Sequence, residues 1–181
     1  MINDNPDLTL LNENLSACSE RIKSLIFSYR KNKDLFPIEV DEIKLLTDEQ
    51  KESIDAFILR YSQCVSIIQD KIFRGIILVE QEDIIGKSNR DKTVLMEKLG
   101  AINSADEFGA AAVLRNKFAH HYPDSSQEQI DKLNILTDET ELIVEVFDSL
   151  IKYAESKDFL PADSDFGGNM INLNKLELKP N

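Results

Sequence analysis

Residues 47–79, TDEQKESIDAFILRYSQCVSIIQDKIFRGIILV, form the stretch of sequence that decides the fold. Apolar residues recur every three or four positions along it, and this spacing places them on one face of an α-helix. Thr47 and Gln50 form a capping box that marks the beginning of this helix, and we expect its end near Gly86. The apolar face consists of Ile54, Ile58, Tyr61, Val65, Ile68, Ile72, Ile76 and Val79.

The same periodicity predicts helices on either side of this stretch. A first helix is expected over residues 8–33, and a short third helix begins near Asn89 and ends at Gly100, a residue type that often terminates helices. The first helix would direct one apolar stripe towards the core. That stripe is Leu8, Leu11, Leu15, Cys18, Ile22, Leu25 and Tyr29.

A fourth and a last helix complete the pattern. The fourth begins at a second capping box, Ser104 with Glu107, and is closed by Pro123, because the residue before a proline disfavours the helical conformation. The last begins at a third capping box that starts at Ser125, and residues 137–139 are a possible point of interruption. Its apolar stripe is Leu133, Leu136, Thr140, Ile143, Phe147, Leu150 and Ala154.

Together these elements predict an all-α protein, an antiparallel up-and-down bundle of about five helices in one domain over residues 1–157. Residues 34–46 form a connecting segment. Residues 158–181 are expected to be an irregular C-terminal tail, since Pro161, Gly167 and Gly168 disfavour a helix there. The tail would pack back on the bundle or bind a partner.

The composition predicts a cytoplasmic protein. The first residues carry neither a basic region nor a long apolar run, and no segment approaches the roughly 20 apolar residues that span a bilayer, so no membrane partner is expected. Cys18 and Cys64 fall on the apolar stripes of separate helices. We therefore expect them in the core, and not in a disulfide or a zinc site.

The charge balance limits the expected partners. The chain has 21 basic and 33 acidic residues, a net charge of −12. Binding to phosphate backbones requires Lys and Arg, so this balance argues against a broad nucleic-acid-binding surface and against DNA as a partner. It leaves room for a small basic pocket, and it also suits a basic protein partner.

The segment most suited to chemistry is RNKFAHHYP, residues 115–123, at the end of the fourth predicted helix. The chain has two histidines, His120 and His121, and both lie here, five and six residues after Arg115. A histidine can take the 2′-hydroxyl proton of RNA at neutral pH, and an arginine can stabilise the extra phosphate charge without a metal. Arg115 and His120 are therefore candidate catalytic residues. No metal or cofactor is expected, because adjacent histidines on a regular helix cannot both face one ion.

The spacing of these two residues limits how they can meet. Five residues of ideal helix correspond to a rotation of about 140°, so Arg115 and His120 do not stack, whereas Arg115 and Tyr122 share a face. The site needs Arg115 to reach around, the helix to loosen before Pro123, or a second protomer to complete it. One histidine does not easily act as both base and acid, and a homodimer would supply two.

A structural interpretation of the same residues remains open. A helix that ends in RNKFAHHYP can be a surface terminus, at which Arg115, Lys117 and the histidines complement the negative end of the helix dipole. On that interpretation the chain is a helical dimerisation protein without an active site.

The segment RNKFAHHY matches the R-x4-H-x-Y signature of the HEPN family, and it resembles the HepT-like toxin branch in particular. Members of the family are helical bundles with this motif at the end of the fourth helix, and an asparagine usually follows the arginine, as Asn116 does here. The resemblance covers this block and the order of helices over residues 8–157. It does not cover residues 34–46 or the tail.

The resemblance implies a homodimeric endoribonuclease toxin with both copies of the motif facing a cleft at the dimer interface. Arg115 and His120 would be catalytic, while Asn116, Lys117 and His121 would support the motif or contact RNA. The alternative within the same family is a non-catalytic module, a binding or regulatory partner of a nucleotidyltransferase, and the acidic charge favours it.

The resemblance also implies a partner protein. Toxins of this branch are usually encoded beside a minimal nucleotidyltransferase antitoxin, which transfers AMP to the motif tyrosine, here Tyr122. A bulky, negatively charged nucleotide would block the cleft and repel RNA.

Charged residues of the second predicted helix are the remaining candidates. HEPN proteins often have an acidic residue on this helix near the motif, and Asp70 is the possible counterpart here. Arg60, Lys71, Arg74 and Lys117 are candidates for a local basic strip, although each is also consistent with an ordinary solvated charge.

Overall fold

Helices make up most of the protein, as the fold class predicted. The computed structural model describes residues 5–120 and 127–161, in which no β-strand occurs. The helices are α1 Pro6–Asn32, α2 Asp48–Ile67, α3 Phe73–Val79, α4 Asn89–Leu99, α5 Ala105–His120, α6 Gln127–Asn134 and α7 Leu136–Ser156. A π-helical turn joins α2 to α3, and only Ile135 separates α6 from α7, so these helices form five continuous units.

Helices α1 and α2 form the most extensive helix pair, and they run antiparallel. Arg21 contacts Gln63, whereas Ser28, further along α1, contacts Arg60, which lies earlier in α2. The predicted stripe of α1 is buried from Leu11 to Tyr29. At the beginning of α2 the predicted capping box is present, since Gln50 N donates to Thr47 Oγ1 (3.2 Å) and Thr47 N donates to Gln50 Oε1 (2.9 Å).

Large aromatic side chains from several helices fill the centre of the bundle. Phe73 of α3 and Phe108 of α5 are fully buried, with ring centroids 4.8 Å apart. Cys18 and Cys64 are also fully buried as free thiols, which confirms their predicted place in the core. Burial raises the pKa of the Cys64 thiol to about 12, so this sulfur stays protonated and unreactive at neutral pH.

The long helix ends earlier than the sequence predicted. Helix α3 ends at Val79, not near Gly86, because Gln81 adopts a left-handed conformation (φ 57°). The N–H of Glu82 then bonds back to the carbonyl of Ile77 (3.0 Å), which satisfies an acceptor at the end of the helix. No glycine or proline stands at this position to indicate the end in the sequence.

The break in the last helix also differs from the prediction. It lies at Ile135, whereas residues 137–139, where an interruption was considered, are helical. Leu133 packs against Ile38 of the connecting segment, while Leu136 enters the main core, so the helix must bury successive apolar residues in two different clusters. The Asn134 side chain bonds both the N–H and the carbonyl of Ile38 (2.8 and 3.0 Å) and ties the connecting segment to α6.

The beginning of the predicted tail packs on the bundle. The Asn12 side chain of α1 donates to the carbonyl of Phe159 (2.9 Å), and the Phe159 ring meets Tyr153 edge-on. Residues 162–181 lie outside the described residues, as do Ser125 and Pro123, to which a capping box and a helix end were assigned. Across residues 5–120 and 127–161, none of the helices is both long enough and apolar enough to cross a bilayer.

Helix α7 carries an acidic side chain into the interface with α2 and α5. Glu139 Oε2 is buried and has no hydrogen-bond partner among the described residues. Burial raises the pKa of Glu139, the charges of Asp138 and Glu107 raise it further, and the nearby Tyr61 hydroxyl opposes the rise. The ionised carboxylate is therefore disfavoured in the folded protein.

This environment predicts that Glu139→Gln stabilises the protein at pH 7. Because the pKa of Glu139 is higher in the folded protein than its ordinary value of 4.5, protonated Glu139 stabilises the fold below pH 4.5. This stabilisation is lost as pH rises through the raised pKa. The variant keeps a neutral side chain, so its advantage should be small at pH 4 and larger at pH 7. Urea unfolding at both pH values measures this difference, and equal stability of the two proteins at pH 7 would contradict it.

Candidate functional site

Helix α5 presents Arg115, and two contacts with neighbouring helices hold this helix in place. The Tyr61 hydroxyl donates to the carbonyl of Ala111 (3.0 Å), and Arg90 of α4 lies over Gly109, so closely that a Cβ there would be 2.9 Å from its Nη1. Residues 109–112 of α5 are small, and this leaves room for neighbouring side chains. What they admit is the Tyr61 hydroxyl and the Arg90 guanidinium, which fix α5 against α2 and α4.

The Arg115 guanidinium is held by polar partners from α2 and from its own helix. Nε and Nη2 donate to Ser66 Oγ (3.0 and 2.6 Å), and Nη1 donates to Asn116 Oδ1 (2.7 Å). Nη2 also lies 3.9 Å from Asp70 Oδ2, and the Arg115 side chain keeps 27% of its surface exposed. The arginine is thus fixed in orientation while part of it remains open to a ligand.

Asp70 is the acidic residue of the long helix next to the motif, and a π-helical turn positions it. The turn spans Ile68–Ile72, and the N–H of Phe73 bonds to the carbonyl of Ile68. Within this turn Ile68 and Ile72 are fully buried, while Asp70 lies at the surface beside Arg115. π-Turns of this kind often occur at functional sites.

Sequence reasoning missed both this turn and Ser66. The apolar spacing predicted an uninterrupted α-helix, and it continues across the turn without a glycine or proline to mark it. Ser66 carried no signal either, because a serine on a partly buried helix face is common. Its importance comes only from the contact with Arg115.

The other motif residues are only partly described. His120 is the last residue of α5, which stays helical up to it, so the helix does not loosen between Arg115 and His120. The His120 side chain, His121 and Tyr122 lie outside the described residues, and the predicted meeting of Arg115 and His120 stays a prediction. Asn116 and Lys117 are both exposed, and Asn116 contacts Arg115.

A groove lined by mostly polar residue types runs between α1 and α2, and Arg115 contacts its wall through Ser66. We call it the α1–α2 groove, and its volume is about 420 Å³. Its lining residues are Asn14, Arg21, Ser62, Gln63, Ser66, Ile67, Asp70 and Lys71. Ser66 belongs to both features, since it lines the groove and accepts two hydrogen bonds from Arg115.

Two residues of the predicted basic strip, Arg60 and Lys71, lie on the long helix on the side that faces α1. Lys71 lines the α1–α2 groove. Arg60 donates to Ser28 Oγ (2.6 Å) and lies over the Phe27 ring, 5.6 Å from its centroid. Ser28 is two turns from Arg21 on α1, so Arg60, Arg21 and Lys71 follow one side of the helix pair.

Neither a metal site nor a known relative identifies the function. Within residues 5–120 and 127–161, no group of three or more His, Cys, Asp or Glu side chains is placed to hold a metal ion. Comparison of the chain with protein-family models, curated proteins and solved structures finds no match. The residues of this site are therefore the basis for a functional assignment.

Proposed function

We propose that the protein is a HEPN-type, HepT-like endoribonuclease toxin that cleaves RNA without a metal. The observation that supports this most is the fixed orientation and partial exposure of the Arg115 guanidinium. Its guanidinium is partly exposed and held by Ser66, Asn116 and Asp70, on the helix that ends at His120. A permanent planar charge in a fixed orientation suits the stabilisation of a phosphate in the transition state.

The proposed reaction uses two groups at the scissile phosphate. His120 removes the proton of the 2′-hydroxyl, whose oxygen attacks the phosphorus, and the bond from phosphorus to the 5′-oxygen breaks. The products are a 2′,3′-cyclic phosphate and a 5′-hydroxyl. The leaving oxygen needs a proton, which the second copy of His120 in a homodimer supplies.

Arg115 needs little reorganisation to act in this reaction. Ser66 accepts one N–H from Nε and one from Nη2, and Asn116 accepts one N–H from Nη1. The second N–H of Nη1 is left for a phosphate oxygen. Asp70 lies beside the guanidinium and limits its rotation. We assign Ser66 and Asp70 as positioning residues, and Asn116, Lys117 and His121 as residues that support the motif or contact RNA.

The proposal includes regulation by a minimal nucleotidyltransferase antitoxin that transfers AMP to Tyr122. An adenylyl group two residues from His120 adds bulk and negative charge at the point where RNA must approach. Mass spectrometry of Tyr122 after co-expression with the neighbouring gene tests this part. An adduct on Tyr122 would also exclude a purely structural role.

A second candidate is a non-catalytic HEPN module that binds a nucleotidyltransferase. The net charge of −12 favours it, because RNA must approach an acidic protein. This candidate predicts a stable complex with the nucleotidyltransferase and no RNA cleavage by the purified protein.

A cleavage assay separates the two candidates. Purified protein is incubated with several single-stranded RNAs in EDTA, with DNA of the same sequences in parallel. We expect RNA fragments that end in a 2′,3′-cyclic phosphate and intact DNA, which lacks the attacking hydroxyl. His120→Ala, purified identically, controls for contaminating nuclease. If the parent cuts none of the RNAs faster than His120→Ala does, the non-catalytic candidate is correct.

A further inference from the structure

We propose that the α1–α2 groove binds the sugar–phosphate backbone of RNA beside the scissile position, an inference that rests on the proposed nuclease function. The groove has a volume of about 420 Å³, within the usual range of ligand sites. Ser66 lies near the middle of its lining, and the Ser66 hydroxyl accepts hydrogen bonds from Arg115. An RNA strand with its scissile phosphate at Arg115 would therefore extend along the groove on both sides of this point.

The charges of the groove suit a polyanion. Asp70 is the one carboxylate among the described lining residues, and its Oδ2 lies 3.9 Å from Arg115 Nη2. Arg21 and Lys71 are exposed, and neither forms an ion pair within the described part of the chain. Among the described residues, the Arg21 guanidinium donates to the neutral Gln63 Oε1 (2.8 Å), which orients it without neutralising it.

Neutral side chains, including the apolar Ile67, make up the rest of the lining. Asn14, Ser62 and Gln63 offer amide and hydroxyl groups that can bond phosphate oxygens and ribose hydroxyls. Such interactions position a strand without reading its sequence. The groove is therefore expected to bind RNA with little dependence on base identity.

The dimensions of the groove match a short length of strand. Gln63, the partner of Arg21, and Lys71 are eight residues apart on the long helix, which corresponds to about 12 Å along its axis. At about 3.4 Å per phosphate in a stacked strand, this distance accommodates roughly three nucleotides. Ser66, the partner of Arg115, lies between Gln63 and Lys71 on this helix. One strand can therefore contact Arg21, Arg115 and Lys71.

The groove also accounts for RNA binding by an acidic protein. The overall charge of −12 repels RNA at long range, but salt weakens that repulsion beyond a Debye length of about 10 Å. Short-range interactions with Arg21, Lys71 and Arg115 are screened less. Binding is then confined to this side of the helix pair.

The test uses a fluorescein-labelled 12-nucleotide RNA with 2′-O-methyl groups, which cannot be cleaved because the attacking oxygen is blocked. Its binding to the full-length parent, Arg21→Gln and Lys71→Gln is followed by fluorescence anisotropy over a range of KCl concentrations. Lys23→Gln is the matched control, because it removes the same charge from α1 about 200° away from Arg21.

We expect each groove variant to bind roughly three- to tenfold more weakly than the parent. The slope of log affinity against log salt should also become shallower by about 0.7 for each phosphate that the variant no longer neutralises. Lys23→Gln should bind like the parent. The proposal is overturned if the parent does not bind the oligomer, or if all three variants lose affinity equally, which is the result of a change in net charge alone.

Polyglutamate, added as a competitor, tests the identity of the ligand. If it displaces the oligomer at an equal concentration of charge, the groove is a site for acidic polypeptides and the assignment to RNA is wrong. The cleavage assay remains independent of this measurement. If RNA is cleaved but neither cleavage nor binding depends on Arg21 and Lys71, only the proposed role of the groove is wrong. If binding depends on these residues but no RNA is cleaved, only the proposed nuclease activity is wrong.

Discussion

Arg115→Ala is expected to slow RNA cleavage by about 100-fold to 1,000-fold while the bundle stays folded. In the proposed reaction the guanidinium stabilises the transition-state charge, and alanine removes it completely. Its partners Ser66, Asn116 and Asp70 are all partly exposed, and such surface interactions contribute little to stability. The single-turnover cleavage rate measures the first effect, and thermal unfolding followed by circular dichroism measures the second.

Matched variants make this result specific. Arg30→Ala removes an exposed arginine at the end of α1 and should leave the cleavage rate unchanged. Arg115→Lys keeps the charge but loses the planar fork, so its rate should lie between those of the parent and Arg115→Ala. A parental cleavage rate in Arg115→Ala would remove this residue from the reaction.

The two positioning residues are expected to act through Arg115. Ser66→Ala and Asp70→Asn leave the guanidinium in place but loosen its orientation, so they should lower kcat more than they raise KM. A purely structural role would instead lower the thermal midpoint and leave the kinetic parameters of the folded fraction unchanged. Each variant combined with Arg115→Ala should cost no more than Arg115→Ala alone.

Phe73→Ala is expected to lower the free energy of unfolding by about 3–5 kcal/mol. The ring is fully buried against Phe108, and its removal leaves a cavity where the π-helical turn meets α3. Denaturant unfolding measures the effect if the transition is two-state.

An exposed phenylalanine provides the control for this variant. Phe27 has 62% of its surface exposed, and its ring contacts the Arg60 guanidinium. Phe27→Ala therefore removes little beyond that cation–π interaction, which is worth about 0.5–1 kcal/mol at an exposed site. If Phe73→Ala were no more destabilising than Phe27→Ala, the assignment of Phe73 to the core would be wrong.

The sequence by itself determined the helices and most of the side chains they bury. Apolar spacing identified the stripes of the first and last helices, and residue pairs such as Thr47 and Gln50 identified where helices begin. These features are local, because a helix turn and its cap depend on side chains only three or four residues apart. The R-x4-H-x-Y segment was visible for the same reason.

Only the tertiary structure decided what surrounds Arg115. Its hydrogen bonds to Ser66 join residues 49 positions apart, and they depend on how α5 packs against α2. The π-helical turn beside Asp70 and the break at Ile135 arise in the same way. At Ile135 the helix gives up its regular geometry so that Leu133 and Leu136 are buried in two different clusters, a requirement that no short stretch of sequence contains.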